Sequence, residues 1–117
     1  MITEFDSFNT AGKDGWNRHP AFEGVYMKAV VTGGETDGKF SAHLVRIEPG
    51  CAIGLHDHPK NWELHEVVDG VGVCELDGKI LDYVPGASGV MPQRVEHTVK
   101  AGEKGLKLLA KFVPALI

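Results

Sequence analysis

Apolar residues recur along the chain in short alternating runs, and almost every run is bounded by Gly, Pro, Asn or Asp. Residues 24–32 (GVYMKAVVT) are rich in β-branched and aromatic side chains and are broken by Gly33-Gly34. Residues 40–48 (FSAHLVRIE) form a second such run, ended by Pro49-Gly50. The pattern predicts further strands over 53–58, 62–68, 72–76, 79–84, 88–91, 97–101 and 105–113. Asp77-Gly78, between VCEL and KILDYV, carries the signature of a two-residue hairpin. Residues 103–111 place Lys104, Lys107 and Lys111 at helical spacing, but Gly105 and the run LLAKFV favour a last strand. Residues 1–20 lack periodicity and read as an arm that wraps the domain or a partner subunit, which leaves 21–117 as one domain. Many short strands in about a hundred residues imply an all-β sandwich or barrel.

Composition narrows the classes of function. The 117 residues suit a single domain, and 43% hydrophobic residues supply a core. Lys plus Arg number 12 against 16 Asp plus Glu, a net charge of −4, which argues against nucleic acid or an anionic membrane as partner. No apolar run approaches the roughly 18 residues of a spanning helix. The opening MITEFDSFNTAGKD has no apolar signal core. Cys51 and Cys74 are too few for a disulfide framework or a zinc knuckle. A soluble cytoplasmic protein with reduced thiols is expected.

The histidines carry the chemistry. His56 and His58 are separated by one residue, so on a strand both point to one face about 6.6 Å apart and can reach one ion. On a helix they would diverge by about 200°. The turn Pro59-Lys60-Asn61 then reverses the chain and brings Glu63 alongside, and His97, after the turn Pro92-Gln93-Arg94, can add a third imidazole.

These residues resemble the cupin family. Gly50, His56, His58, Glu63 and Gly70 match its first motif, G-x5-H-x-H-x4-E-x6-G, at every position. Gly86, Pro92 and His97 match three fixed positions of the second, G-x5-P-x-G-x2-H-x3-N, while Arg94 stands for Gly and Ala101 for Asn. The Arg94 departure bears on the shape of its turn rather than on a ligand. The resemblance covers residues 40–113. It implies a small, single-domain, RmlC-like jelly roll, the double-stranded β-helix, with His56, His58, Glu63 and His97 holding one divalent metal inside the barrel. Such a donor set suits Fe(II), Mn(II), Ni(II), Co(II), Cu(II) or Zn(II) and leaves coordination positions open.

Other residues are weaker candidates. His65 shares parity with Glu63 and is a candidate acid/base behind the ligands; His43, Trp62, Cys74 and Met91 are candidates for substrate contact. Cys74 and Leu76 are expected to face inward, Glu66 outward, and Tyr83 into the core. The leading function is a metal-dependent enzyme acting on a small organic molecule, with dioxygenase-like oxidation as the first reaction class. The alternatives are a non-catalytic ligand-binding or sensor cupin and a redox-neutral isomerase. The sugar-nucleotide type of isomerase is disfavoured because Lys and Arg fall at outward or turn positions. A homodimer is expected, since Phe40, Ala42 and Leu44 on one parity and Val45 and Ile47 on the other make that strand apolar on both faces.

Overall fold

The computed structural model describes residues 15–117, so most of the expected N-terminal arm lies outside the described residues. Eight strands follow one another: β1 (Asn17–Arg18), β2 (Val25–Val31), β3 (Ser41–Ile47), β4 (Ala52–His56), β5 (Trp62–Leu76), β6 (Lys79–Tyr83), β7 (Ser88–Met91) and β8 (His97–Val113). The end of the expected arm, Asn17–Arg18, pairs with β2. Residues 103–111 are strand, not helix.

Two long strands organise the molecule. The expected breaks at Asp69-Gly70 and at Gly102 are bends inside β5 and β8 rather than strand ends. The first half of β5 pairs with the second half of β8 and with β7, in a sheet that continues through β3 and β2 to β1. The second half of β5 pairs with the first half of β8, and β6 and β4 flank that pair. Glu63 lies opposite Phe112 in one half and His97 opposite Leu76 in the other, yet the two side chains approach to 3.3 Å. The two halves therefore face each other across one interior, the arrangement of a jelly roll.

The bends depend on glycine. The β5–β8 ladder shifts register between Val67 and Asp69 and again between Gly70 and Gly72. Gly70 has φ +80, and a Cβ there would collide with the Gly105 carbonyl; one at Gly72 would collide with the Lys100 carbonyl. Crossing the bend also switches parity. Glu63, His65 and Val67 are the buried positions before it, and Cys74 after it. In β8 the buried set changes in the same way from His97, Val99 and Ala101 to Leu106, Leu108, Ala110 and Phe112.

Turn chemistry accounts for the rest. Asp77 (φ 50) and Gly78 (φ 77) both lie in the left-handed region, as a two-residue β-hairpin of type I′ requires. On β3, Ala42 and Leu44 are buried within one chain together with His43, Val45 and Ile47. Phe40, on the parity of Ala42 and Leu44 and just before the strand, stays 44% exposed. No helix among the described residues is long and apolar enough to cross a membrane.

Candidate metal centre

Four side chains converge on one point from three directions. His56 ends β4, Glu63 opens β5 and His97 opens β8, while His58 sits just beyond β4 rather than on it, a shorter strand than the spacing predicts. One donor atom from each of His56, His58, Glu63 and His97 lies within 4.8 Å of the others, so the four can hold a metal ion. The backbone orients two of them. His56 Nδ1 meets the Gly54 carbonyl at 2.7 Å and His97 Nδ1 meets the Val95 carbonyl at 3.1 Å, which leaves each Nε2 to face the centre. The backbone N–H of Arg94 donates to the His58 carbonyl at 3.3 Å, tying the two motif turns together.

Glu63 is held from behind. His65 Nε2 donates to Glu63 Oε2 at 2.8 Å, and His65 Nδ1 lies 2.8 Å from the Tyr83 hydroxyl. An ionised carboxylate only accepts, so Nε2 carries the proton, and in the neutral ring Nδ1 accepts from Tyr83. Burial opposes charge on Glu63, but the hydrogen bond from His65 and the approach of His97 outweigh it and hold the carboxyl well below the usual carboxylate range. Burial likewise lowers His56 and His58, and pushes the Tyr83 phenol up so that it stays protonated. At His97 burial is outweighed by Glu63, and the net shift is upward. Glu63 Oε1 and His97 Nε2 remain buried without a hydrogen-bond partner: their approach lacks hydrogen-bond alignment. Two orphaned donor atoms aimed at one point are what a metal ion would satisfy, so the residues present fit a cation.

A cavity of about 480 Å³ opens beside this cluster, with His56, His58, Glu63 and His65 on its wall. Its other walls come from β2 and β3 (Met27, Ala29, His43, Val45), from Leu108 and Phe112, from Asn17 to Pro20, and from Leu116 and Ile117. The C-terminal segment is tied in place: Leu116 N–H donates to Ser41 Oγ, and Asn61 Nδ2 donates to the Pro114 carbonyl, each at 2.8 Å.

The sequence pattern of the cupin domain matches residues 43–111, more than half of the chain. The chain belongs to the cupin family. No curated protein matches its sequence. Among solved structures, KdgF from Halomonas sp. is 23% identical with a TM-score of 0.80, over 97% of this chain and 94% of that one. Ectoine synthase from P. lautus is 18% identical with a TM-score of 0.78, over 99% of this chain and 80% of that one. An RmlC-like cupin from Shewanella frigidimarina is 20% identical with a TM-score of 0.70, over 87% and 96%. These likenesses show the shared jelly roll.

Within this cupin the remaining candidates separate. His65 touches Glu63 directly. His43 lines the cavity, its ring 5.3 Å from that of Phe112, and burial lowers its imidazole to about 4. Trp62 is half exposed and lies outside the cavity wall. Cys74 and Met91 are buried against each other, Sγ to Sδ 3.9 Å, in the packed core and away from the cavity. Tyr83, read as core packing alone, also supports His65 through its hydroxyl. His19, Leu116 and Ile117 were not singled out by any pattern, because each reaches the cavity from an irregular segment.

Proposed function

We propose that this cupin is a metal-dependent enzyme acting on a small organic molecule, with oxygen-dependent oxidation as its reaction class. One observation carries the reading: three imidazoles and a carboxylate converge within 4.8 Å beside a cavity, with two of their atoms lacking a hydrogen-bond partner. A bound divalent ion would supply a Lewis-acidic, redox-capable centre open toward that cavity. The chain's own residues would do the rest. His56 and His97 present Nε2, fixed by backbone carbonyls. His65 keeps a proton on Nε2 and so holds Glu63 ionised and oriented. Met27, Val45, Leu108 and Phe112 would give a bound molecule an apolar surface. One observation favours the second reading, a non-catalytic binding module. Among the described residues Glu63 is the sole carboxylate side chain on the cavity wall, and a bound metal would take it.

The test begins with metal content. Protein purified without a tag should take up one divalent ion, and His58→Ala and His97→Ala should lose it while keeping a β-rich spectrum. Wild-type protein is then loaded with Fe(II) anaerobically and exposed to nitric oxide. An iron-nitrosyl EPR signal is expected. A fully loaded protein without that signal would remove oxygen chemistry and leave ligand binding as the better account.

A further inference from the structure

The cavity is asymmetric in chemistry. Among the described residues its titratable side chains are His19, His43, His56, His58, His65 and Glu63, and no lysine or arginine lies on its wall. With the metal taken by the head group, a second anionic group on a bound molecule would meet no cationic lysine or arginine side chain among the described residues, which is unfavourable in an apolar site. Most of the remaining wall is hydrocarbon: Met27, Val45, Ile53, Leu108, Phe112 and Leu116.

His43 interrupts that wall. It projects from β3, is only 5% exposed, and no hydrogen bond to its ring is found among the described residues, while its nitrogens are not among the fully buried unpartnered atoms and so keep access to the cavity. The metal ligands do not use it. Phe112 lies against both rings, 5.3 Å from His43 and 4.9 Å from His58, so an apolar surface runs between the metal end and His43. A neutral imidazole both donates and accepts one hydrogen bond, so a polar group of a molecule in the cavity would find a partner there. A volume of about 480 Å³ also has room for more than a diatomic or a short acid.

We propose that the cavity takes a molecule with an apolar body, one metal-coordinating head group and one uncharged hydrogen-bonding group that His43 meets, and that it excludes a second anionic group. This names the substrate class for the metal-dependent reading above and rests on that reading.

The probes are hydroxamates, which share one metal-binding head. Protein loaded with Co(II) is titrated with acetohydroxamate, benzohydroxamate, the meta- and para-hydroxy analogues and the para-carboxy analogue, and the visible absorption of the cobalt is followed. Benzohydroxamate should bind at least about tenfold tighter than acetohydroxamate because the ring leaves water. The better hydroxy analogue should gain about fivefold over benzohydroxamate in the wild type and lose that gain in His43→Leu. The para-carboxy analogue should bind at least about tenfold more weakly than benzohydroxamate. Equal affinity for acetohydroxamate and benzohydroxamate, or undiminished binding of the carboxy analogue, overturns the inference while the metal reading stands. The wild-type series decides this even where His43→Leu fails to fold. Failure of Co(II) to enter at all overturns both.

Discussion

The interior of this jelly roll has two halves built on opposite terms, although β5 and β8 line both. Around Tyr83, Val99, Cys74 and Leu106 every inward side chain is packed against others, and the polar hydroxyl of Tyr83 has its partner. Around Glu63 and His97 the inward side chains are titratable, two of their atoms lack partners, and a cavity opens. An unpartnered buried polar atom costs about 1–3 kcal/mol. The packed half therefore stabilises the fold, and the site half draws on that stability to hold groups that only a bound ion or molecule would satisfy. Tyr83 joins the two: its ring belongs to the core and its hydroxyl to His65.

Cutting at that junction should give the largest effect. Tyr83→Ala removes a fully buried ring, and the unfolding free energy should fall by about 3–5 kcal/mol, read by denaturant titration of the metal-free protein. A loss below about 1 kcal/mol would mean that the packed half is not what holds the fold.

Acid should act on the site half. His43 lies in the folded chain at about 4, against an ordinary value of 6.5, because burial disfavours its charged form. Between those two values the unfolded chain binds a proton that the folded chain does not. The contribution of His43 to stability is therefore full above 6.5 and lost progressively as pH falls toward 4, by up to about 3 kcal/mol. Glu63 works in the same direction at lower pH, since a depressed carboxyl is lost as it protonates. His43→Leu should flatten the decline between pH 6.5 and 4 in metal-free protein. Superimposable pH profiles for the two proteins would refute this.

Keeping the ring and deleting only the hydroxyl separates the halves more finely. Tyr83→Phe should cost about 1 kcal/mol of stability. It should weaken metal binding about tenfold, since Glu63 loses the support behind His65. Unchanged affinity in a competition titration against a chelator would show that Tyr83 serves the core alone.

Legibility in the sequence followed the same division. The ligand cluster is local: His56, His58 and Glu63 sit within one strand–turn–strand unit, so spacing and parity exposed them. Most strands were equally readable from alternation, and Asp77-Gly78 from its turn chemistry. What alternation could not show is pairing across distance. Gly70 and Gly102 punctuate the pattern as strand ends would, and only the approach of Gly105 and Lys100 makes the β5 glycines points where one strand bends and continues. The partnership of His65 with Tyr83, and the cavity walls from Asn17 and Leu116, likewise depend on where the sheets bring distant segments.

Arg94 offers the smallest effect and a test of the site half from its backbone. It stands where the cupin motif carries glycine, and it adopts the glycine conformation, with φ 65. A side chain there costs about 1–2 kcal/mol, because Cβ crowds the carbonyl that follows. Glycine would relieve that crowding but make the unfolded chain freer, which offsets about 0.5–1 kcal/mol. Arg94→Gly should thus raise stability by up to about 1.5 kcal/mol, the difference of those two terms. Metal affinity should stay the same, because the bond from residue 94 to the His58 carbonyl comes from the backbone N–H, which glycine retains. A variant that is less stable, or that binds metal more weakly, would mean that the Arg94 side chain itself supports the centre.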